Sequence, residues 1–145
     1  TLQRKSKFLA ITPFIAPILL VEDYKHDLEL TLLAVERIQL ANEVVIVRDG
    51  AQALDYLNRQ GNYAQRIEGT PAVALDLKLP ILTGLEVLEA MRANSALRTV
   101  PVVMLTSSQE ETDVLASREH GVNAYVVKPL AFDKFVSAIG KLGTF

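Results

Sequence analysis

Four apolar runs in this chain end in groups that could share one reaction. "ILLV" (18–21) runs into Glu22 and Asp23, and "AVALD" (72–76) closes on a lone acid, Asp76, ahead of Pro80. "VPVVML" (100–105) is followed by Thr106, Ser107 and Ser108, and "AYVV" (124–127) by Lys128 and Pro129. A carboxylate buried without a partner is strongly disfavoured, so Asp76 needs company. Three carboxylates within a few ångströms repel and raise one another's pKa unless a cation joins them. Oxygen ligands with room for water suit Mg²⁺. Lys128 adds a second positive charge, and Thr106 a short hydroxyl donor. Together these are the parts of in-line phosphoryl transfer. An aspartate oxygen attacks, the cations neutralise the equatorial oxygens, and the hydroxyl fixes one of them.

The elements that must bring these groups together follow from the hydrophobic pattern. The four runs and a fifth, "EVVIV" (43–47), are rich in Val and Ile and alternate poorly, as strands buried on both faces do in a parallel sheet. Amphipathic segments separate them. "DLELTLLAVERIQL" sets Leu28, Leu32, Val35 and Ile38 at helical spacing, and "GAQALDYLNRQ", "GLEVLEAMRA", "QEETDVLASREH" and "FDKFVSAIGKL" supply four more helices. Thr83-x-x-Glu86 and Ser108-x-x-Glu111 are predicted capping boxes, and Gly61 and Gly121 predicted helix stops. Arg48, Asp49 and Gly50 suit a turn and a helix start, and 61–70 a polar surface loop. A β-α unit repeated five times implies an open α/β sheet with helices on both faces, and ligands bind beyond the carboxyl ends of its strands. Glu22, Asp23, Asp76, Thr106 and Lys128 all stand there.

Bulk properties remove other classes. The 145 residues suit one domain, with 50% apolar and 22% charged side chains. A net charge of −2 and no long Lys/Arg cluster argue against nucleic-acid binding. With no cysteine there are no disulfides or thiolate zinc sites, and a cytoplasmic location is expected. The apolar stretch 8–21 has a basic start, but at about 14 residues it is too short to span a bilayer. Pro13 and Pro17 interrupt it, so residues 1–16 are expected to form an irregular arm ahead of a domain over 17–145.

With these residues in place, the chain resembles the receiver domain of two-component response regulators, from about residue 18 to 142. The resemblance rests on the acidic pair in "LLVED", the aspartate of "LDLKLP" followed by Gly84, the hydroxyl of "VVMLTSS", and "YVVKP". "ANEVVIVRDGAQALDYL" and "GVNAYVVKP" are further similar to the stand-alone regulators that partner cyanobacterial phytochrome histidine kinases. The resemblance implies a flavodoxin-like (βα)5 fold, a doubly wound parallel five-stranded sheet in the order 2-1-3-4-5. It implies that Asp76 accepts a phosphoryl group from a histidine kinase. Glu22, Asp23, Asp76 and the backbone carbonyl of Lys78 would hold Mg²⁺, and Lys128 would pair with the phosphoryl group through a strand end closed by a cis bond to Pro129. Thr106 and Tyr125 would be the switch that carries the event to the outer face of the fourth helix, fifth strand and fifth helix. Two departures stand out: Tyr24, bulky where a small polar residue is common, is expected to narrow access, and Lys78 is placed to shield the phosphoryl group. His26 and His120 receive no catalytic role.

On this reading the protein is a phosphoacceptor and not a turnover enzyme. With no output segment after the fifth helix, the signal is expected to pass in trans to a downstream protein. The apolar arm 8–15 and the apolar end "FVSAIGKLGTF" are expected to support a homodimer. Two other functions compete. One is a receiver-like interaction domain that no longer takes phosphate, which the full set of required residues opposes. The other is a Mg²⁺-dependent phosphatase of the haloacid-dehalogenase type, which needs a second acid two residues after a nucleophile on the first strand. Here that position is Lys78 and the strand is the third. No G-x-G-x-x-G follows the first strand, which removes dinucleotide binding.

Overall fold

The computed structural model describes residues 17–38, 43–66, 69, 71–116, 121–128, 134 and 137. Its strands are β1 (Ile18–Val21), β2 (Val44–Val47), β3 (Ala72–Asp76), β4 (Val102–Thr106) and β5 (Ala124–Val127). They form one parallel sheet in the order β2-β1-β3-β4-β5. Among the described residues four helices alternate with them: α1 (Lys25–Ile38), α2 (Gly50–Asn58), α3 (Gly84–Ala93) and α4 (Gln109–Ala116). This is the doubly wound, flavodoxin-like arrangement expected. Of the fifth helix expected over 132–142, only Lys134 and Ser137 are among the described residues, and both are helical. The arm 1–16, His120 and the Lys128–Pro129 bond fall outside them.

The apolar runs are continuous because each strand serves two cores. Leu19, Val21, Val73, Leu75, Val102 and Met104 face α2 and α3, where Ala53, Tyr56, Leu57, Val87, Leu88 and Met91 close the layer. Leu20, Ala74, Val103, Leu105 and Val126 face the other way, with Ala34, Leu28, Leu32 and Val35 of α1 packed on them. Each buried Val, Leu or Met among them contributes about 1.5–3 kcal/mol of burial. β2 departs from the expectation of two buried faces. It is the edge strand, with Val44 and Val45 half-buried and Ile46 37% exposed.

Local signals held in different degrees. Asp49 caps α2, its Oδ1 accepting the Gln52 N–H at 2.7 Å. The Thr83 box is complete: Thr83 Oγ1 accepts the Glu86 N–H at 3.2 Å, and the Thr83 N–H donates to Glu86 Oε1 at 2.9 Å. The Ser108 box is half formed, because Glu111 takes its return bond from the Ser107 N–H at 2.9 Å. α2 ends at Asn58, before Gly61, with Arg59 itself in the left-handed region at φ 56°. Gly61 instead opens a 3₁₀ turn, Gly61–Tyr63, in what was expected to be a plain loop.

Candidate functional site

Parallel register brings the chosen residues to one edge. Val21 pairs with Leu75, Asp76 with Leu105, and Thr106 with Val127. Glu22 therefore leaves β1 beside the end of β3, its N–H bonded to Val47 O at 3.1 Å. Lys128 leaves β5 beside Thr106, its N–H bonded to Thr106 O at 2.7 Å. Behind Asp76, Gly84 lets α3 start hard against the strand end. Its N–H donates to Leu77 O at 2.8 Å, and a Cβ there would collide with the Asp76 carbonyl.

Glu22, Asp76 and Thr106 are buried, at 0%, 3% and 0% exposure. Lys128 Nζ lies 3.1 Å from Asp76 Oδ1 and 3.6 Å from Glu22 Oε1. Its shortest bond is to Asp27 Oδ2, at 2.7 Å, a partner 101 residues away. Asp27 was read from the sequence only as a helix residue. The available signal was its place one turn past Asp23, in the first turn of a helix that leaves the acidic strand end. Burial alone would push the Lys128 ammonium down; the bonds to Asp27 and Asp76, with the charges of Asp76 and Glu22, overcome this and hold it above the usual lysine value. Glu22 moves the other way, up to about 7. Burial and the neighbouring Asp76 carboxylate raise it, against the pull of Lys128 and of the Tyr24 N–H on Glu22 Oε2.

The fit of this cluster to a metal can be tested on the acceptor atoms. Glu22 Oε1 is buried and accepts no hydrogen bond. Two adjacent buried carboxylates with one unmatched acceptor are short of positive charge, which suits a hard, oxygen-liganded cation. Asp23 is exposed, and among the described residues no three His, Cys, Asp or Glu side chains are grouped so as to hold a metal ion by themselves. Mg²⁺ binds through one or two carboxylates and keeps several waters, so the buried Glu22 and Asp76 pair suits it. Asp23 and Lys78 line an open depression of about 560 Å³, with Pro80, Thr83 and Leu85 among its other walls. The Lys78 side chain is exposed.

The remaining expected residues separate. Thr106 reaches the edge, but its hydroxyl is engaged elsewhere: Oγ1 lies 2.6 Å from Thr112 Oγ1 and donates to Ser108 O at 3.3 Å. Tyr125 is half-buried, its phenol pushed up by burial. It lines a separate cleft of about 240 Å³ with Gln109, Thr112, Lys134 and Ser137. The Tyr24 side chain is 61% exposed, with its ring edge-on to His26 at 6.2 Å. No helix among the described residues is long and apolar enough to cross a membrane.

A buried aspartate at the central strand end, flanked by a second acid and a lysine on this sheet, defines a receiver. The chain belongs to the response regulator receiver domain family, whose model matches residues 18–140. It is 42% identical over 114 residues to the response regulator Rcp1 of Synechocystis sp., covering 77% of this chain and 75% of that one. Among solved structures, the bacteriophytochrome response regulator RtBRR is 65% identical, with a TM-score of 0.87 over 91% of this chain and 80% of that one. The Mn²⁺-bound form of Rcp1 is 37% identical, with a TM-score of 0.69 over 90% of this chain and 91% of that one. The chain is thus a response regulator receiver whose relatives include regulators named for phytochromes.

Proposed function

We propose that Asp76 is the phosphoacceptor of this receiver and that a histidine kinase is its donor. The observation that carries this is the Lys128 ammonium bonded 3.1 Å from Asp76 Oδ1 at the carboxyl edge of the sheet. An Asp76 oxygen attacks phosphorus, a P–O bond forms as the P–N bond to the kinase histidine breaks, and the freed imidazole takes a proton from solvent. Lys128 balances charge on the transferred group. Mg²⁺ held by Glu22, Asp23, Asp76 and the Lys78 carbonyl would supply the second positive charge at the phosphoryl oxygens; the unmatched Glu22 acceptor and the Mn²⁺-bound form of Rcp1 support that assignment. Thr106 and Tyr125 are the switch in this reading, with the Thr106 hydroxyl leaving Thr112 to meet the new charge.

The relatives named as bacteriophytochrome and cyanobacterial regulators favour a phytochrome-type kinase as donor. The protein works in the cytoplasm as a signalling phosphoacceptor and not as a turnover enzyme. A downstream protein, or a second copy pairing through the apolar segments 8–15 and 135–145, reads the altered surface.

The test is incubation with Mg²⁺ and acetyl phosphate followed by intact mass. The expected result is a gain of one phosphoryl group that is absent in Asp76→Asn. No gain in the wild-type chain would leave only an interaction domain. Rapid release of many phosphates without accumulation would mark a phosphatase.

A further inference from the structure

Lys128 has more anionic partners than the phosphoryl reaction calls for. Its ammonium carries three N–H donors. They face Asp27 at 2.7 Å, Asp76 at 3.1 Å and Glu22 at 3.6 Å, so the tightest bond goes to the one acid that has no part in the expected chemistry. Asp27 sits in the first turn of α1, where a negative charge is favoured by the helix dipole. That support for its charge does not depend on Lys128. The two side chains are only 14% and 19% exposed, so the pair is largely shielded from water. A phosphoryl group on Asp76 would bring new acceptor oxygens and close to two negative charges to the same ammonium. The Asp27 bond must then lengthen or a phosphoryl oxygen go without its counter-charge, and Asp27 repels the incoming group in either case.

We infer that Asp27 is a positioning residue that holds Lys128 toward α1 in the unphosphorylated protein and competes with the phosphoryl group for it. This deepens the proposed function and rests on Asp76 being the acceptor. Asp27 sets a threshold: it keeps the lysine in reach of Asp76 while weakening the hold on a phosphoryl group that arrives. The incoming ligand class is a phosphoryl anion on the Asp76 carboxylate, and beryllofluoride is its stable mimic.

The experiment compares wild type, Asp27→Asn and Asp27→Glu at saturating Mg²⁺. It reads the half-saturating acetyl phosphate concentration and the maximal rate by intact mass, and beryllofluoride affinity by calorimetry. In Asp27→Asn the half-saturating concentration and the beryllofluoride Kd are expected to fall about fivefold, the scale of one partly shielded charged hydrogen bond. The maximal rate is expected to stay within about twofold, since Asp27 does not touch the reacting atoms. Asp27→Glu, which keeps the charge, is expected to behave as wild type. In a Lys128→Met background the gain from Asp27→Asn is expected to vanish, because the effect runs through the lysine. Unchanged or weaker beryllofluoride binding in Asp27→Asn overturns the inference. So does an equal gain in the Lys128→Met background. A wild-type chain that gains no phosphoryl group and binds no beryllofluoride fails at the level of the proposed function instead.

Discussion

The two ends of the sheet solve their polar problems in opposite ways. At the amino end, the Arg92 guanidinium donates to the carbonyls of Arg98 at 2.9 Å, Val100 at 3.0 Å and Gly121 at 2.7 Å, tying the approaches to β4 and β5 together. Asn123 Oδ1 takes the Val102 N–H at 2.8 Å, and the Asn123 N–H returns to Val102 O at 2.9 Å. At the carboxyl end, Glu22 Oε1 accepts no bond, three carboxylates share one ammonium, and Ile81 stands 74% exposed at φ 71°. A β-branched residue there is strained. One sheet thus carries a satisfied end that holds the domain together and an unsatisfied end kept ready for a ligand.

The largest expected effect lies at the satisfied end. Arg92→Ala strips a shared charged donor from three carbonyls, that of Val100 part-buried, and is expected to cost about 3 kcal/mol in urea unfolding. It should leave the extent of Asp76 phosphorylation unchanged. Arg92→Lys should rescue little, because an ammonium cannot reproduce the planar fork. A cost below about 1 kcal/mol would erase the contrast between the ends.

The next effect lies at the strained end and has the opposite sign. Glu22 rises from 4.5 to about 7 in the folded protein, through burial first and Asp76 second. A carboxyl group that binds its proton more tightly when folded stabilises most below its unfolded value. That contribution fades as pH climbs from about 4.5 to about 7, and its loss is complete above. Glu22→Gln removes the titration while keeping the shape. In EDTA the variant is expected to overtake wild type as pH rises, reaching an advantage on the order of 2 kcal/mol at pH 8. A stability difference that does not change with pH would mean that the rim stores no electrostatic cost.

Legibility followed the same divide. The limits of β3 could be read to the residue, since an apolar run between Pro71 and Pro80 leaves little freedom. Parallel strands put Glu22, Asp76, Thr106 and Lys128 at one edge, and their convergence further needed strands one, three, four and five to be neighbours, which the order bears out. The exposure of β2 could not be read, because "EVVIV" has the same pattern in a central strand as at an edge. Asp27 was missed because its partner is 101 residues away and no local spacing announces it. For Thr106 the residue type was legible and the direction of its hydroxyl was not. A hydroxyl at a strand end turns to whichever partner the next helix presents, and here that is the Thr112 hydroxyl. Glu111 likewise chose Ser107 over Ser108 between two adjacent donors of similar strength.

The smallest effect asks on which side of the contrast the Thr106 corner belongs. If the 2.6 Å pairing of Thr106 Oγ1 with Thr112 Oγ1 is a latch, Thr106 belongs with the strained end, held back until a phosphoryl group draws it away. Thr112→Val keeps the shape and removes the hydroxyl, leaving Thr106 Oγ1 only the weaker bond to Ser108 O at 3.3 Å. One neutral hydrogen bond has a net value of about 1 kcal/mol, so beryllofluoride binding is expected to tighten by up to about fivefold. The gain should disappear in a Thr106→Val background, where there is no hydroxyl to release, and the coupling between the two sites measures the latch itself. A silent Thr112→Val would make the pair an ordinary helix-start contact, as settled as the Arg92 cluster. The unsatisfied end would then shrink to the carboxylates around Lys128 and the strained turn at Ile81.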